Sequence, residues 1–241
     1  MPVIIPRKYL FVKWCEVWFD DKPYTTEYPC TVFYGCRQDI EHRDMVRKWT
    51  THVLSIDLTV GLDRIWNDIA RQTREEIKKA ERIGIEIHIN KHFDEFYEIN
   101  KKFALKKNLK NLILPIDFMR RYGTLFTAVY NNKVLGGVLF FEDERVMELK
   151  LMASLRLETS KDEAKIISHA MRLLIWRAIQ YAYYKGLSEF SLEGVDPSNL
   201  DSGIGFFKTR FGGTVVTRYN YVLCHPYVKI LYNIYRKMRN A

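Results

Sequence analysis

A carboxylate pair stands at the end of a short alternating segment near residue 190. Polar and apolar residues alternate from Phe190 to Glu193, which predicts a strand, and Pro197 breaks the pattern. Glu193 and Asp196 therefore lie at the carboxyl end of a predicted strand, where ligands bind in open α/β sheets. An ordinary strand–loop–helix connection with solvated charges is the alternative.

Two groups of cations are candidate phosphate ligands. Lys208 and Arg210 follow the acidic loop on a predicted short helix, before a Gly-Gly pair. A second group lies at offsets of three and four in a helix predicted from Gly61 to Ile83, and like charges at that spacing destabilise an isolated helix. An anionic ligand would offset the repulsion, and a solvated face relieved by nearby glutamates is the alternative. This second group is Arg71, Arg74, Lys78 and Arg82.

One histidine is a further candidate for acid–base chemistry. His169 lies in a long helix predicted from Asp162 to Tyr184, and imidazole titrates near neutral pH. A histidine that packs or hydrogen-bonds locally is the alternative. The cysteines and histidines show no zinc-ligand spacing, so we expect no metal. We expect reduced, packed thiols for all four cysteines, which are Cys15, Cys30, Cys36 and Cys224.

Composition and charge indicate the size of the domain and the chemical class of its binding partner. The 241 residues suffice for one large domain with a substantial core, and 47% of them are hydrophobic. The formal net charge of +9 favours a polyanionic partner, such as a phosphate, a nucleotide, a nucleic acid or an anionic membrane. We find neither a signal peptide nor a membrane span, so we expect a cytoplasmic protein.

The predicted elements are mainly strands in the amino-terminal part of the chain, and both helices and strands are predicted after it. Aromatic and β-branched residues on either side of a turn at Asp20–Pro23 predict an amino-terminal β-hairpin or a small edge sheet, and 53–58 predicts one more strand. From Ile85 the order is strand, helix, helix, three antiparallel strands, long helix, strand, short helix and strand. The three antiparallel strands are predicted at 124–130, 134–141 and 146–153, and a basic terminal helix is predicted at 226–239.

This order resembles the acyltransferase fold of the GNAT superfamily. Three blocks are similar to its Fem-like branch, the peptidoglycan bridge-forming aminoacyl transferases and their acyltransferase relatives. The blocks are TREEIKKAERIGIEI, ISHAMRLLIWRAIQYAYYKG and EGVDPSNLDSGIGFFKTRFGG.

The resemblance implies an α+β fold with a mixed, mostly antiparallel sheet that splays between its fourth and fifth strands. The activated donor would lie in that wedge. We predict a β-rich extension at 1–60 and a single GNAT-like domain at 61–241, without the tandem domain and helical arm of full-length Fem enzymes. The superfamily's glycine-containing pyrophosphate loop is also missing, because the matching segment reads SLRLETSKDEAK.

The resemblance also implies roles for individual residues. Transfer of an acyl group to an amine needs a proton acceptor, for which Glu193 is the first choice and Asp196 and His169 are alternatives. The donor would contact Met152, Ser154, Ser160 and Lys161, and a backbone N–H at 152–154 would bind the oxyanion. In the block FKTRFG, Phe207 and Lys208 match a substrate-binding motif whose lysine lies near substrate phosphates.

We therefore expect an N-acyltransferase that uses acyl-CoA and a phosphate-bearing acceptor, a nucleotide-linked amino sugar of the cell envelope. The first alternative is a Fem-like enzyme that transfers an amino acid from aminoacyl-tRNA to a peptidoglycan-type peptide. The second is a non-catalytic protein that binds nucleic acid or anionic surfaces through the basic stripe and the terminal helix.

Overall fold

The structure, a computed structural model, describes residues 2–9, 12–201 and 203–230. The strands are β1 (Val3–Tyr9), β2 (Val12–Trp18), β3 (Cys30–Cys36), β4 (Met45–Asp57), β5 (Glu86–Ile89), β6 (Thr124–Tyr130), β7 (Lys133–Glu142), β8 (Val146–Ser154), β9 (Glu189–Gly194) and β10 (Thr214–Cys224). The α-helices are α1 (Leu62–Asp68), α2 (Arg71–Arg82), α3 (Phe93–Lys106), α4 (Ile116–Tyr122), α5 (Lys161–Tyr184) and α6 (Gly203–Thr209), and 3-10 turns lie at Lys110–Leu112 and Leu155–Glu158.

The chain forms two compact units. The first comprises Met1–Val53, Gly194–Pro197 and Val215–Ala241, and the second comprises Leu54–Glu193 and Ser198–Thr214. Strands β4 and β10 therefore contribute residues to both. The sequence-based division into 1–60 and 61–241 stays a prediction.

The first unit orders its strands β1-β2-β3-β10-β4. Strand β2 is antiparallel to β1 and parallel to β3, with Trp14–Trp18 aligned against Cys30–Tyr34. The predicted hairpin across Asp20–Pro23 is therefore wrong, whereas the alternative prediction, a small edge sheet, is confirmed because β1, β2 and β3 lie at one end of the strand order. Parallel strands need a crossover longer than a tight turn, and 19–29 provides it.

The expectation of four reduced cysteines is wrong for one pair. Cys30 and Cys224 are partners in the antiparallel register of β3 and β10 and form a disulfide. Their separation of 194 residues hides this pairing from local sequence patterns. Cys15 and Cys36 are free and buried, and burial raises the pKa of the Cys36 thiol to about 12.

The second unit confirms the predicted order of elements from residue 85 onward. Its strands follow the order β4-β9-β8-β7-β6-β5, in which β6, β7 and β8 form the predicted antiparallel meander. Helix α5 packs on this sheet, for example through the rings of Tyr181 and Phe126, whose centroids are 5.4 Å apart. The predicted ends of α5 are also confirmed. Ser160 caps its first turn by accepting the Glu163 N–H, and Gly186 follows it with φ of +82°.

The long helix predicted from Gly61 to Ile83 is wrong as a single element. It is broken at Ile69 and Ala70, which are extended, so α1 ends at Asp68 and α2 begins at Arg71. The Ala70 N–H donates to the carbonyl of Arg210, 3.0 Å away. This tertiary hydrogen bond satisfies the Ala70 N–H, which would donate to a carbonyl of the same helix if the helix were continuous. No local sequence pattern predicts this hydrogen bond.

The terminal helix prediction lies mostly outside the described residues. Residues 226–230 are helical, and the remainder of the predicted helix is not described. Among the described residues, the helices are too short or too polar to cross a bilayer.

Candidate active site

Strands β8 and β9 separate in the second unit, as the resemblance predicted for the fourth and fifth strands. In the described residues they pair in parallel over three positions, Val146–Glu148 against Glu189–Ser191. Beyond this point β8 continues to Ser154 without a β9 partner. Glu148 and Ser191 are thus the last pair before the two strands diverge.

A hydrogen-bonded set of side chains stands at this point of divergence. The Ser191 hydroxyl donates to Glu148 Oε2 over 2.9 Å, and the Glu193 backbone N–H donates to the Ser191 hydroxyl over 3.2 Å. Ser191 is fully buried and Glu148 is only 9% exposed. Ser191 therefore ties the glutamate of β8 to the carboxyl end of β9.

Burial and neighbouring charges shift the protonation of both carboxyl groups. Burial, and then the charge of Glu193, raise the pKa of Glu148 to about 7. Burial also raises the pKa of Glu193, against the opposing charges of Lys150 and Lys208. A carboxyl group with a pKa near 7 can exchange a proton at neutral pH, as a general base requires.

Lys208 completes this cluster from α6. Its side chain is 4% exposed, and burial lowers its pKa while the charges of Glu193 and Glu148 raise it. The amine lies among the carboxylates and not on a solvated surface. Its predicted role as a phosphate ligand stays a prediction, and its positive charge opposes the burial that raises the pKa of Glu193.

The backbone around the cluster departs from regular geometry in two places. Glu193 has a φ of +60°, in the left-handed region that non-glycine residues rarely adopt. In β8, Phe140 faces Leu149 while Leu139 faces Leu151, so Lys150 is the extra residue of a β-bulge. Strained residues and bulges recur next to functional sites, where they re-aim side chains.

A cleft of about 410 Å³ lies beside the free part of β8. The end of β8, the following 3-10 turn, α5, α6 and the end of α3 line it. Its walls are partly apolar, through residues such as Phe103 and Met171, and partly cationic, through Lys107 and Arg156. Strand β8 and helix α6 thus supply both the carboxylate cluster and the cleft.

The structure places three of the predicted ligand-contacting residues in this cleft. Met152 and Ser154 line it from β8, and Phe207 lines it from α6. Ser160 and Lys161 instead begin α5 as exposed residues outside the described lining of the cleft. Their role in donor binding stays a prediction.

The alternative proton acceptors lie in different surroundings. Asp196 is exposed and belongs to the first unit, whereas Glu193 belongs to the second. His169 is 6% exposed and its Nδ1 has no hydrogen-bond partner. Burial lowers the pKa of His169, and the charges that act on it belong to Glu76, Lys79, Arg172 and Lys165, on α2 and α5. Those charges place His169 against α2, outside the carboxylate cluster, and its catalytic role stays a prediction.

Two predicted cations of the α2 stripe, Arg74 and Lys78, and the separate cation Arg210 contact groups within the protein. Arg74 Nη1 donates to the carbonyls of Trp66 and Asn67, over 3.2 and 3.0 Å, and so caps the carboxyl end of α1. Lys78 is exposed, 3.5 Å from Glu75. Arg210 lies over the ring of Phe206, 4.3 Å from its centroid. Phosphate binding by these three residues stays a prediction.

Glu148 is the functional candidate that sequence reasoning missed. The strand VMELKLMAS contains one acidic residue between apolar neighbours, and an acidic residue inside a buried strand is unusual. That signal was available, but only the register with β9 shows its proximity to Ser191. In the described residues, no group of three or more His, Cys, Asp or Glu side chains is arranged to hold a metal ion.

Comparison with known proteins identifies the fold. No family model and no curated protein matches the chain. Among solved structures, FemX aligns with a TM-score of 0.60 at 10% identity, over 95% of this chain and 86% of that one. L-PGS from Bacillus licheniformis aligns with a TM-score of 0.56 at 15% identity, over 95% and 84%.

A third solved structure agrees with these two. The C-terminal domain of a lysylphosphatidylglycerol synthetase from Agrobacterium fabrum aligns with a TM-score of 0.58 at 12% identity, over 90% of this chain and 80% of that one. The chain therefore shares the fold of these three proteins, the GNAT- and Fem-like fold that the order of its elements predicted.

Proposed function

We propose that the protein transfers an acyl or aminoacyl group from an activated donor to a primary amine. The observation that carries this proposal is the buried cluster of Glu148, Ser191, Glu193 and Lys208 where β8 and β9 diverge. The strand and helix that carry Glu148 and Lys208, β8 and α6, also line a cleft large enough for part of a donor. The acyltransferase fold supports the same reading.

Glu148 is the proton acceptor in this proposal. The amine nitrogen attacks the donor's acyl carbon, a C–N bond forms, and the bond to the leaving sulfur or oxygen breaks. The amine's proton passes to the Glu148 carboxylate, directly or through one water, and the leaving group takes up a proton. Glu193 raises the basicity of Glu148, and Lys208 limits the cost of burying both carboxylates.

The cleft beside β8 is the proposed donor site. Its apolar walls suit an acyl chain or a pantetheine-like arm, and Lys107 and Arg156 can pair with donor phosphates. Backbone N–H groups of β8 near Met152 could stabilise the oxyanion, because β9 does not pair with this part of the strand. Acyl-CoA is the donor we propose, and aminoacyl-tRNA is the alternative, since both present phosphates and an activated acyl group.

The proposed acceptor is a phosphate-bearing amine of a cell-envelope precursor, such as a nucleotide-linked amino sugar. The net charge of +9 and the cations lining the cleft support an anionic substrate.

A transfer assay tests this function. The purified protein is incubated with acetyl-CoA, longer acyl-CoAs or aminoacyl-tRNA, together with a panel of amino sugars, nucleotide-linked amino sugars and peptides. We expect product with one donor class and a loss of turnover on the order of 10²–10⁴-fold for Glu148→Gln, which keeps the shape but cannot accept the proton. Product formed with aminoacyl-tRNA, and with none of the acyl-CoAs, would identify aminoacyl-tRNA as the donor instead of acyl-CoA.

The matched control is Glu98→Gln. Glu98 is an exposed carboxylate of α3 in the same unit, so this variant should keep full activity. Equal activity of the two variants would refute Glu148 as the proton acceptor. Absence of transfer from every donor, together with salt-sensitive binding of nucleic acid, would favour the non-catalytic alternative.

A further inference from the structure

Exposed large apolar side chains are concentrated in the three segments that border the cleft, which are the end of α3, the 3-10 turn after β8, and α6. We call this group the apolar rim, and in the second unit the only other large apolar side chains of comparable exposure among the described residues are Val60, Ile89 and Tyr184. The apolar rim consists of Leu105 (50% exposed), Leu109 (38%), Leu157 (37%), Ile204 (54%) and Phe206 (39%).

Contacts among three elements bring the apolar rim together. Leu157 and Ile204 line the cleft directly, beside Lys107. The Lys106 ammonium donates to the carbonyl of Leu157 over 2.6 Å, which fixes the end of α3 against the 3-10 turn. The three segments that carry the apolar rim therefore border one cleft, and Leu157 and Ile204 lie in its lining.

Cations accompany these apolar side chains. The segment from 101 to 113 contains five lysines and no acidic residue. Arg156 precedes Leu157 in the sequence, and Arg210 stacks on Phe206. Glu158 is the one acidic residue in the three segments that carry the apolar rim, 101–113, 155–158 and 203–210. The five lysines are Lys101, Lys102, Lys106, Lys107 and Lys110, and all are exposed.

Exposed aliphatic side chains interleaved with lysines match the surface of an anionic bilayer. Aliphatic groups enter the boundary between headgroups and acyl chains, while lysines pair with anionic headgroups. Nucleic acid would explain the cations but not the aliphatic side chains, because single-stranded RNA binds by stacking on aromatic rings and duplex RNA through its backbone and grooves.

We propose that the apolar rim and its lysines dock the cleft mouth onto an anionic lipid membrane. The protein would lie on the bilayer surface, with the aliphatic side chains of α3 and α6 inserted among the headgroups. This docking does not depend on acyl transfer, because it involves neither Glu148 nor its partners.

Vesicle co-sedimentation tests the docking. Vesicles of phosphatidylcholine with an equal share of phosphatidylglycerol are compared with pure phosphatidylcholine, at low salt and at 1 M salt. We expect at least tenfold stronger partitioning onto the anionic vesicles at low salt, and a marked loss at 1 M salt. The double variant Leu157→Ser/Ile204→Ser, which changes the two rim residues in the cleft lining, should lose at least tenfold in partitioning.

Three controls make the result specific. Val60→Ser/Tyr184→Ser removes exposed apolar groups elsewhere in the same unit and should bind vesicles like the wild type. Glu148→Gln should also bind normally, so failure of the docking and failure of the proposed catalysis are distinguishable. Thermal melting checks that each variant is folded.

Several outcomes would overturn the proposal. Equal vesicle binding by the wild type and the rim variant would do so. Binding of bulk tRNA that anionic vesicles do not displace would assign the surface to nucleic acid instead. A dimer that light scattering detects, and that the rim variant abolishes without any vesicle binding, would assign it to a second copy of the chain.

Discussion

Burial raises the pKa of both Glu148 and Glu193, and it brings the pKa of Glu148 to about 7. Each loses hydration, and the negative charge of Glu193 further disfavours ionisation of Glu148. Lys208 opposes this effect without abolishing it. The cluster can thus hold or release a proton at physiological pH, which an exposed glutamate would not do.

The raised pKa of Glu148 predicts a pH-dependent stability. Between about pH 4.5 and 7 the native state binds more protons at this residue than the unfolded state, so the free energy of unfolding falls as pH rises. Replacement by Gln removes this titration. The variant should therefore gain stability relative to the wild type across this range, by about 3 kcal/mol in total if the shift is fully expressed. Urea unfolding of both proteins at pH 4.5, 6 and 8 measures the difference.

The control for this prediction is again Glu98→Gln. Its stability difference from the wild type should change little with pH, because Glu98 is exposed. A parallel pH dependence of the wild type and Glu148→Gln would show that Glu148 keeps an ordinary pKa in the folded protein.

The sequence identified part of this residue cluster. Glu193 and Lys208 were predicted because the end of a strand and the FKTRFG block are local patterns. Glu148 lies 45 positions before Glu193, and its role depends on the register between β8 and β9. Contacts of that kind are set by tertiary pairing, which a single sequence does not display.

At the scale of elements, strong periodicity was a reliable guide. Helix α5, with its Ser160 cap and its glycine stop, and the meander of β6, β7 and β8 were predicted almost to the residue. The break between α1 and α2 was not, because it depends on a hydrogen bond between Ala70 and Arg210. The parallel pairing of β2 with β3 was missed because no turn signature distinguishes it from a hairpin.

The side chain of Arg74 joins two helices, because it extends from α2 to the carboxyl end of α1. Arg74→Met should remove the donor that caps α1 at the carbonyls of Trp66 and Asn67, and should lower the free energy of unfolding by about 1–2 kcal/mol. KM for donor and acceptor should stay unchanged. Urea unfolding and steady-state kinetics measure the two effects.

Arg71→Met is the matched control, because Arg71 is exposed in the same helix. This variant should have nearly the same free energy of unfolding as the wild type. The opposite result for Arg74→Met, a large rise in KM with unchanged stability, would support the predicted role of Arg74 as a phosphate ligand.

At the scale of the whole molecule, the Cys30–Cys224 disulfide closes nearly the full chain. It spans 194 residues and links β3 to β10 in the first unit. Removing it with Cys30→Ala/Cys224→Ala should lower the free energy of unfolding by about 2–5 kcal/mol. A reducing agent should destabilise the wild type and leave this variant unaffected.

Alkylation of the denatured, unreduced protein checks the pairing itself. Mass spectrometry should find two modified cysteines, Cys15 and Cys36, and four modified cysteines would contradict the disulfide. Protein taken from its native cells should be tested in the same way, because disulfides persist mainly in oxidising compartments. The cytoplasmic location stays a prediction.

The central claim is that Glu148 accepts the amine's proton at the divergence of β8 and β9, and the pH dependence of kcat/KM tests it most directly. The rate of the wild type should rise as Glu148 ionises, with an inflection near pH 7. In Glu148→Gln the rate should be lower by on the order of 10²-fold or more, and this inflection should be absent. An unchanged inflection in Glu148→Gln would contradict the claim and assign the titration to another group.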